Sequence, residues 1–279
     1  MTLAETLEAA LGSPPREGAP TAGIVELRDG RRVFVKAPRD RRASAMVDAE
    51  EHGLAFLRGR STLRVPDVLA RGEGYLVLSL LDFHSRHVPE PRGAEGFGRA
   101  LAELHRSGAP SFGLDRDNFI GLTEQRNTPN DRWADFYRDE RILAVAKRAD
   151  LDRRTRALVD AVADRMGELV GDGEPPARLH GDLWAGNACV DASGTPCVFD
   201  PAVSGGSREL DLAMMRLFGG FSRRTFDAYE ESFPLLPGHA ERVALYQLYF
   251  LLVHVAIFGA GYAAQTEECL RGVLRPHAS

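Results

Sequence analysis

The run His180–Gly181–Asp182–Leu183–Trp184–Ala185–Gly186–Asn187, with Asp200 downstream, decides how this chain folds. Asp182 follows His180 by two residues, and Asn187 follows Asp182 by five. Residues 188–191 and 196–200 are strand-like runs joined by Ser193–Gly194. A hairpin there carries the chain back, so that Asp200 returns beside Asn187 and both face one cleft. A tight turn capped by an aspartate would account for Asp182 alone. It explains neither the position of Asn187 nor the hairpin.

These residue types in this order suit phosphoryl transfer. That reaction asks a protein to hold metal ions against phosphates, to place a cation on them, and to orient the attacking hydroxyl with a carboxylate. Asp182 is the candidate for the hydroxyl, and Asn187 and Asp200 are the candidate metal ligands. The front of the chain should then offer a lysine on a strand and a carboxylate on the next helix. Lys36 ends the apolar run 33–36. In a helix over 40–58, Ala43, Met46, Val47, Leu54 and Leu57 mark the buried face. Glu50 lies four residues from both Met46 and Leu54, on that face, whereas Glu51 is turned about 100° away. A carboxylate on an apolar stripe requires a partner, and Lys36 is the natural one. The phosphate-covering loop is thin: Gly18–Ala19–Pro20–Thr21–Ala22–Gly23 is small but not glycine-rich.

Outward from these motifs, the chain divides in two. A short amphipathic helix over 3–11 precedes strands at 24–27 and 32–36, joined through Asp29–Gly30, a strong hairpin signal. The helix at 40–58 and strands at 65–70 and 75–81 complete a front lobe, residues 1–81. A hinge is expected near 79–84. Residues 82–279 read as a helical rear lobe, with helices over 94–107, 132–147, 152–170, 208–219, 222–232 and 240–262 and one β insertion at 188–200. The expectation is an α+β, bilobal fold with a cleft between a β-rich N-terminal lobe and a helical C-terminal one.

Bulk properties narrow the partners. The 279 residues are 44% hydrophobic and 27% charged, the balance of an ordinary globular protein. The net charge of −5 argues against a nucleic-acid partner. Arg39, Arg41 and Arg42 read as a solvated helix start. No run approaches 18 uninterrupted apolar residues, so no membrane span is expected, and the first twelve residues lack the basic leader of a secretory signal. Three cysteines, Cys189, Cys197 and Cys269, make no disulfide scaffold and have no zinc-site spacing. They point to the reducing cytoplasm.

A protein kinase would place Arg between His180 and Asp182, follow the metal aspartate with Phe-Gly, and end its activation segment in Ala-Pro-Glu. Here Gly181 and Pro201 stand at the first two positions, and the third is missing. The acceptor is therefore expected to be a small molecule. The run HGDLWAGN, then FDPA, then REL-DLA-MMR-LFGGF, resembles the fructosamine kinase (ketosamine-3-kinase) family, related to the aminoglycoside and choline kinases. Asp117–Asn118–Phe119–Ile120–Gly121, Trp133, Phe258–Gly259 and Gly261–Tyr262 extend the similarity over roughly residues 23–275.

The resemblance implies a kinase-like fold, ATP and Mg2+, and phosphorylation of a sugar hydroxyl on a ketosamine, free or protein-bound, as a step in deglycation. It implies Asp182 as base, Asn187 and Asp200 as magnesium ligands, and Lys36, paired with Glu50, on the phosphates. Leu78 and Leu80 would flank the nucleotide, and Ser79, where relatives often carry a carboxylate, would leave adenine to backbone groups. Trp184 would face the sugar, with a core aromatic as the other reading, and Asn118 could help shape the acceptor site or cap a loop. Asp211 is expected to brace the catalytic loop, and His105 and His254 to be core histidines. Kinases of aminoglycosides, choline or free sugars, and a non-catalytic pseudokinase, are the alternatives. A monomer or weak dimer is expected.

Overall fold

The computed structural model describes residues 1–81, 92–171 and 173–275. The front part begins with helix α1, Leu3–Leu11, which opens on a Thr2/Glu5 capping box and ends at Gly12 in the left-handed region. Strands β1 (Gly23–Glu26), β2 (Arg32–Lys36), β3 (Val68–Gly72) and β4 (Tyr75–Ser79) form one antiparallel sheet in the order β1-β2-β4-β3. Helix α2, Ala43–Leu57, lies between β2 and β3 in sequence. Val25, Val33, Val35 and Val77 turn to one face of the sheet and pack with Leu7 of α1. Phe34 and Lys36, one residue out of phase, turn to the other face, where the cleft lies.

The rear part follows with α3 (Arg92–Arg106), β5 (Asn118–Ile120), β6 (Thr123–Gln125), α4 (Trp133–Phe136), a π-helical stretch over Tyr137–Leu143 and α5 (Ala144–Ala146). Then come α6 (Arg153–Asp164), α7 (Met166–Leu169), β7 (Ala177–Leu179), β8 (Ala188–Val190), β9 (Pro196–Val198), β10 (Ser204–Gly206), α8 (Glu209–Leu217), α9 (Arg223–Ser232), α10 (His239–Phe258) and α11 (Ala263–Leu274). Strands β5–β6, β8–β9 and β7–β10 form three separate antiparallel pairs. Helix α10 is the axis of the rear core: Leu245, Leu248, Tyr249, Phe250 and Leu252 are all buried. Together with its continuation to Leu274 it is long and apolar enough to cross a membrane; about half of its most apolar window is buried in the fold.

The two parts are not separately packed. Val47, Leu54, Leu57, Leu76 and Leu78 of the front share one buried cluster with Phe97, Leu101, Leu183 and Val198 of the rear. The cleft opens above this shared floor.

Several boundaries differ from the periodicity reading. The helix expected over 152–170 breaks at Arg165 (φ −100°, ψ 8°), where the backbone tightens to bond Val162 and swings Met166 into the core. The helix expected to reach 262 stops at Gly259, whose positive φ ends it, and α11 follows unforeseen. Strands β5, β6, β7 and β10 are three residues each, too short for a period of two to show. Of the hinge expected near 79–84, residues 82–84 lie outside the described residues.

Candidate active site

Lys36 ends β2 facing the cleft, and α2 brings Glu50 to it. Lys36 Nζ lies 2.6 Å from Glu50 Oε2 and 3.0 Å from Asp200 Oδ1, which joins strand, helix and hairpin through one ammonium. Burial opposes the charge on Lys36, but Glu50 and Asp200 outweigh it and hold the ammonium above its ordinary range. Burial pushes the Glu50 carboxyl up, and Lys36 pulls it back. The 2.6 Å contact of one Glu50 oxygen with the ammonium fits the ionised pair, while Oε1 is buried without a hydrogen-bond partner. Glu50 is 7% exposed, as its place on the apolar stripe requires.

The catalytic loop hangs from Asp211, which is fully buried in α8. Asp211 Oδ2 accepts from the His180 amide (2.7 Å) and Oδ1 from the Gly181 amide (2.8 Å), while His105 Nε2 lies 3.2 Å from Oδ2. His105 Nδ1 lies 2.8 Å from Tyr229 Oη. Asp211 thus braces the loop, and His105 braces Asp211. Gly181 has φ +84°, and a Cβ there would stand 1.9 Å from the Ala202 carbonyl oxygen. No side chain fits, which accounts for glycine where a protein kinase carries arginine. His180 is buried; its Nε2 lies 3.0 Å from Phe199 O and its Nδ1 3.3 Å from the Asp182 amide. The carbonyl can only accept and the amide can only donate, so the ring is the neutral Nε2–H tautomer. Burial also holds the His180 ring below its usual range.

The next turn delivers Asp182, whose carboxyl is pushed up to about 7, first by burial and then by the neighbouring Asp200. Asn187 Nδ2 donates to Asp182 O (2.9 Å) and lies 3.3 Å from Asp182 Oδ2. With its amide nitrogen committed there, Asn187 Oδ1 is left as a free donor oxygen. The β8–β9 hairpin pairs Ala188 with Val198 and brings Phe199 N to within 3.1 Å of Asn187 O. Asp200 follows directly, with φ +56°, and among the described residues it is the non-glycine residue in the left-handed region. Such strain marks functional positions. The hairpin therefore sets Asn187 and Asp200 side by side, as the spacing predicts.

Two connected cavities open onto these groups. One, of about 620 Å³, is lined by Lys36, Glu50, Phe119, Asp182, Trp184, Asn187 and Asp200. The other, of about 300 Å³, is a mostly apolar slot between Ile24, Phe34, Leu78, Leu80, Cys189 and Phe199. Its shape and lining suit a flat heteroaromatic ring. Ser79, which lines the slot, accepts at Oγ from the Asp67 amide at 2.8 Å, and its O–H stays available as a donor. The loop over residues 16–22 is held by Arg16 N to Glu26 O (2.9 Å), Ala19 N to Arg16 O (3.0 Å) and an exposed Arg16–Glu26 ion pair (2.8 Å). This is the thin loop read from its composition. Two hard oxygen donors, Asn187 Oδ1 and Asp200, beside a lysine fit Mg2+, which takes one or two protein ligands and fills its shell with phosphates and water.

Trp184 is 42% exposed and lines the larger cavity, its ring lying over Gly186. Asn118 does not line it. Asn118 is 4% exposed; its Nδ2 donates to Val203 O (2.8 Å), and its Oδ1 accepts from Gln125 Nε2 (2.8 Å) and Asn127 Nδ2 (2.9 Å). Its amide is used up anchoring the β5–β6 hairpin. Gln125 completes the anchor through Ala202 O and Tyr249 Oη. The hairpin itself reaches the cleft through Phe119, Gly121 and Leu122; the first two lie in the 117–121 run that carries the family similarity, but the sequence reading gave none of the three a role in the site. The signal was present in the two-residue connection Gly121–Leu122, with Gly121 at positive φ. Arg42, tied to Asp40, reaches the same tip: its Nη2 donates to Leu122 O at 3.0 Å, strapping the start of α2 to the rear hairpin.

A lysine–glutamate pair, a loop aspartate, and an asparagine and aspartate at the two ends of a hairpin define a phosphotransferase of the kinase-like fold. A choline kinase from Streptococcus pneumoniae shares that fold, with a TM-score of 0.62 over 96% of this chain and 95% of its own at 14% identity. The narrower match is to the fructosamine kinase family, whose model covers residues 18–276, and this chain belongs to that family. A protein of Synechocystis sp. named a probable ketoamine kinase is 37% identical over 89% of this chain and 85% of its own length. The chloroplastic protein-ribulosamine 3-kinase of Arabidopsis thaliana is 33% identical over 88% and 77%. A solved structure from Thermobifida fusca YX-ER1, assigned to the fructosamine-3-kinases, superposes with a TM-score of 0.89 at 39% identity, covering 99% of both chains.

Proposed function

We propose that this protein transfers the γ-phosphoryl group of ATP to the 3-hydroxyl of a ketosamine sugar, as a step in deglycation. The observation that carries the reading is the convergence of Lys36, Asp182, Asn187 and Asp200 on one cleft, in a chain of this family. Asp182 accepts the proton of the attacking hydroxyl; a carboxyl near 7 is a competent base at neutral pH. Lys36, positioned by Glu50, takes the phosphates. Leu78 and Leu80 flank the adenine in the apolar slot. Asn187 and Asp200 hold magnesium, which when bound neutralises charge on the transferring group. Trp184 offers an apolar face to the sugar. Residues 1–81 act as the nucleotide lobe and residues 82–279 as the catalytic and acceptor lobe. The three free cysteines suit a reducing cytoplasm, where the protein would act as a monomer or weak dimer.

The test is ATP- and Mg2+-dependent turnover against fructosyl- and ribulosyl-lysine, free sugars, choline and aminoglycosides. Ketosamines should be the preferred acceptors, and turnover confined to the other classes would overturn the acceptor. Asp182→Asn should lose at least about a thousandfold in kcat while ATP binding stays near native. Native-like turnover in that variant would overturn the mechanism.

A further inference from the structure

On the side of the cleft away from the apolar slot, large apolar side chains stay exposed: Leu122 by 54%, Phe218 by 42% and Phe258 by 63%. Phe218, Phe258 and Tyr262 surround the ring of His254, with centroids 4.9, 5.5 and 4.8 Å from it. His254 Nδ1 lies 2.7 Å from Phe250 O, one turn back on α10. Since the carbonyl only accepts, Nδ1 carries a proton, and the bond fixes the ring at the centre of the group. Two close approaches join the cluster to the cleft. A Cβ on Gly220 would stand 2.3 Å from Ala185 Cβ, so the segment after Phe218 rests on the residue after Trp184. A Cβ on Gly121, which lines the cleft, would meet Ile257 Cδ1 at 3.2 Å, beside Phe258. The rings therefore continue the cleft outward, between Trp184 and the tip of the β5–β6 hairpin.

We propose that this aromatic patch is the subsite for the amine carrier of the acceptor, and that it favours alkylammonium carriers such as a lysine side chain. This rests on the ketosamine reading above. In a ketosamine the nitrogen is on C1, so it lies only about 5 Å from the 3-oxygen. With that oxygen at Asp182, the carrier begins inside the cleft and must leave it. The nucleotide takes the side of Lys36 and the apolar slot, so the carrier leaves on the other side, where Trp184 and the Gly121–Leu122 tip line the cleft and the segments bearing Phe218 and Phe258 adjoin them. The nitrogen is a secondary amine, protonated near neutral pH, and aromatic faces attract such a cation. The methylenes of a lysine stem gain by covering the same rings.

The experiment compares kcat/KM for Nε-fructosyl-lysine with that for 1-amino-1-deoxyfructose, the ketosamine without a carrier, in the native enzyme and in Phe258→Ala and Phe258→Tyr. Phe258 is mostly exposed, so its replacement leaves the core intact. The expected result is an approximately tenfold fall in the ratio for Phe258→Ala, carried by KM, with the ratio kept in Phe258→Tyr. An unchanged ratio in Phe258→Ala, or an equal loss on both acceptors, overturns the carrier site alone. A native enzyme that phosphorylates neither acceptor overturns the ketosamine reading and the carrier site with it.

Discussion

Asp182 is where sequence position and environment meet. Its carboxyl moves from 3.8 to about 7 because the loop buries it beside Asp200. Two outcomes follow at this scale. The acid limb of kcat/KM should lie above the usual carboxylate range, since burial raises Asp182 and the protonated carboxyl cannot take the hydroxyl proton; a midpoint near 4 would contradict the burial argument. The second outcome concerns stability. Between pH 4 and 7 the folded chain holds a proton on Asp182 that the unfolded chain has lost, so stability falls as pH rises through that window. Below about pH 4 both states are protonated and the cost vanishes. Asp182→Asn removes the cost, and at pH 8 it should be more stable than the native protein by on the order of 3 kcal/mol. Denaturant melts at pH 8 and pH 4 measure this: the gain should be present at the first and absent at the second. The same substitution should stop turnover, and the two outcomes together would show activity maintained against stability.

Among the elements, the β5–β6 hairpin contributes most that the sequence did not announce. Its strands are three residues long, and its anchor is a polar cluster of Asn118, Gln125, Asn127 and Tyr249. Buried amides with every partner satisfied are costly to truncate, because the partners are left unpaired. Asn118→Ala should therefore lower stability by about 2 kcal/mol while changing KM for the acceptor less than twofold. A large rise in KM without loss of stability would return Asn118 to the acceptor site. The longer elements were legible because their period was sustained: α2 gave the inward face of Glu50 directly, and the 188–200 hairpin followed from two apolar runs and Ser-Gly. The end of α10 and the existence of α11 were not legible. Gly259 and Gly261 permit a break without dictating that a helix resumes on the other side.

At the scale of the whole molecule, one buried cluster spans both parts and sets the cleft. Leu183, inside the catalytic loop, is fully buried in it with Leu54, Leu76, Phe97 and Val198. Leu183→Ala should cost about 2–5 kcal/mol by leaving a cavity. It should also lower kcat, because Asp182 precedes it and the loop has no other apolar anchor at that point. A variant with lost stability and native kcat would show that Asp211 alone holds the loop. What the sequence determined by itself was which polar side chains meet in one cleft: Lys36, Glu50, Asp182, Asn187 and Asp200. Those groups lie on a short loop, a hairpin and a helix whose local geometry follows from spacing. Tertiary structure decided what depends on distant parts of the chain coming together. The shift of Asp182 comes from the walls around it, the assignment of Asn118 from carbonyls of Val203, and the aromatic patch from α8, α10 and the segment after α10 meeting beside Trp184. Burial and long-range contact are properties of the packed chain, and no local pattern encodes them.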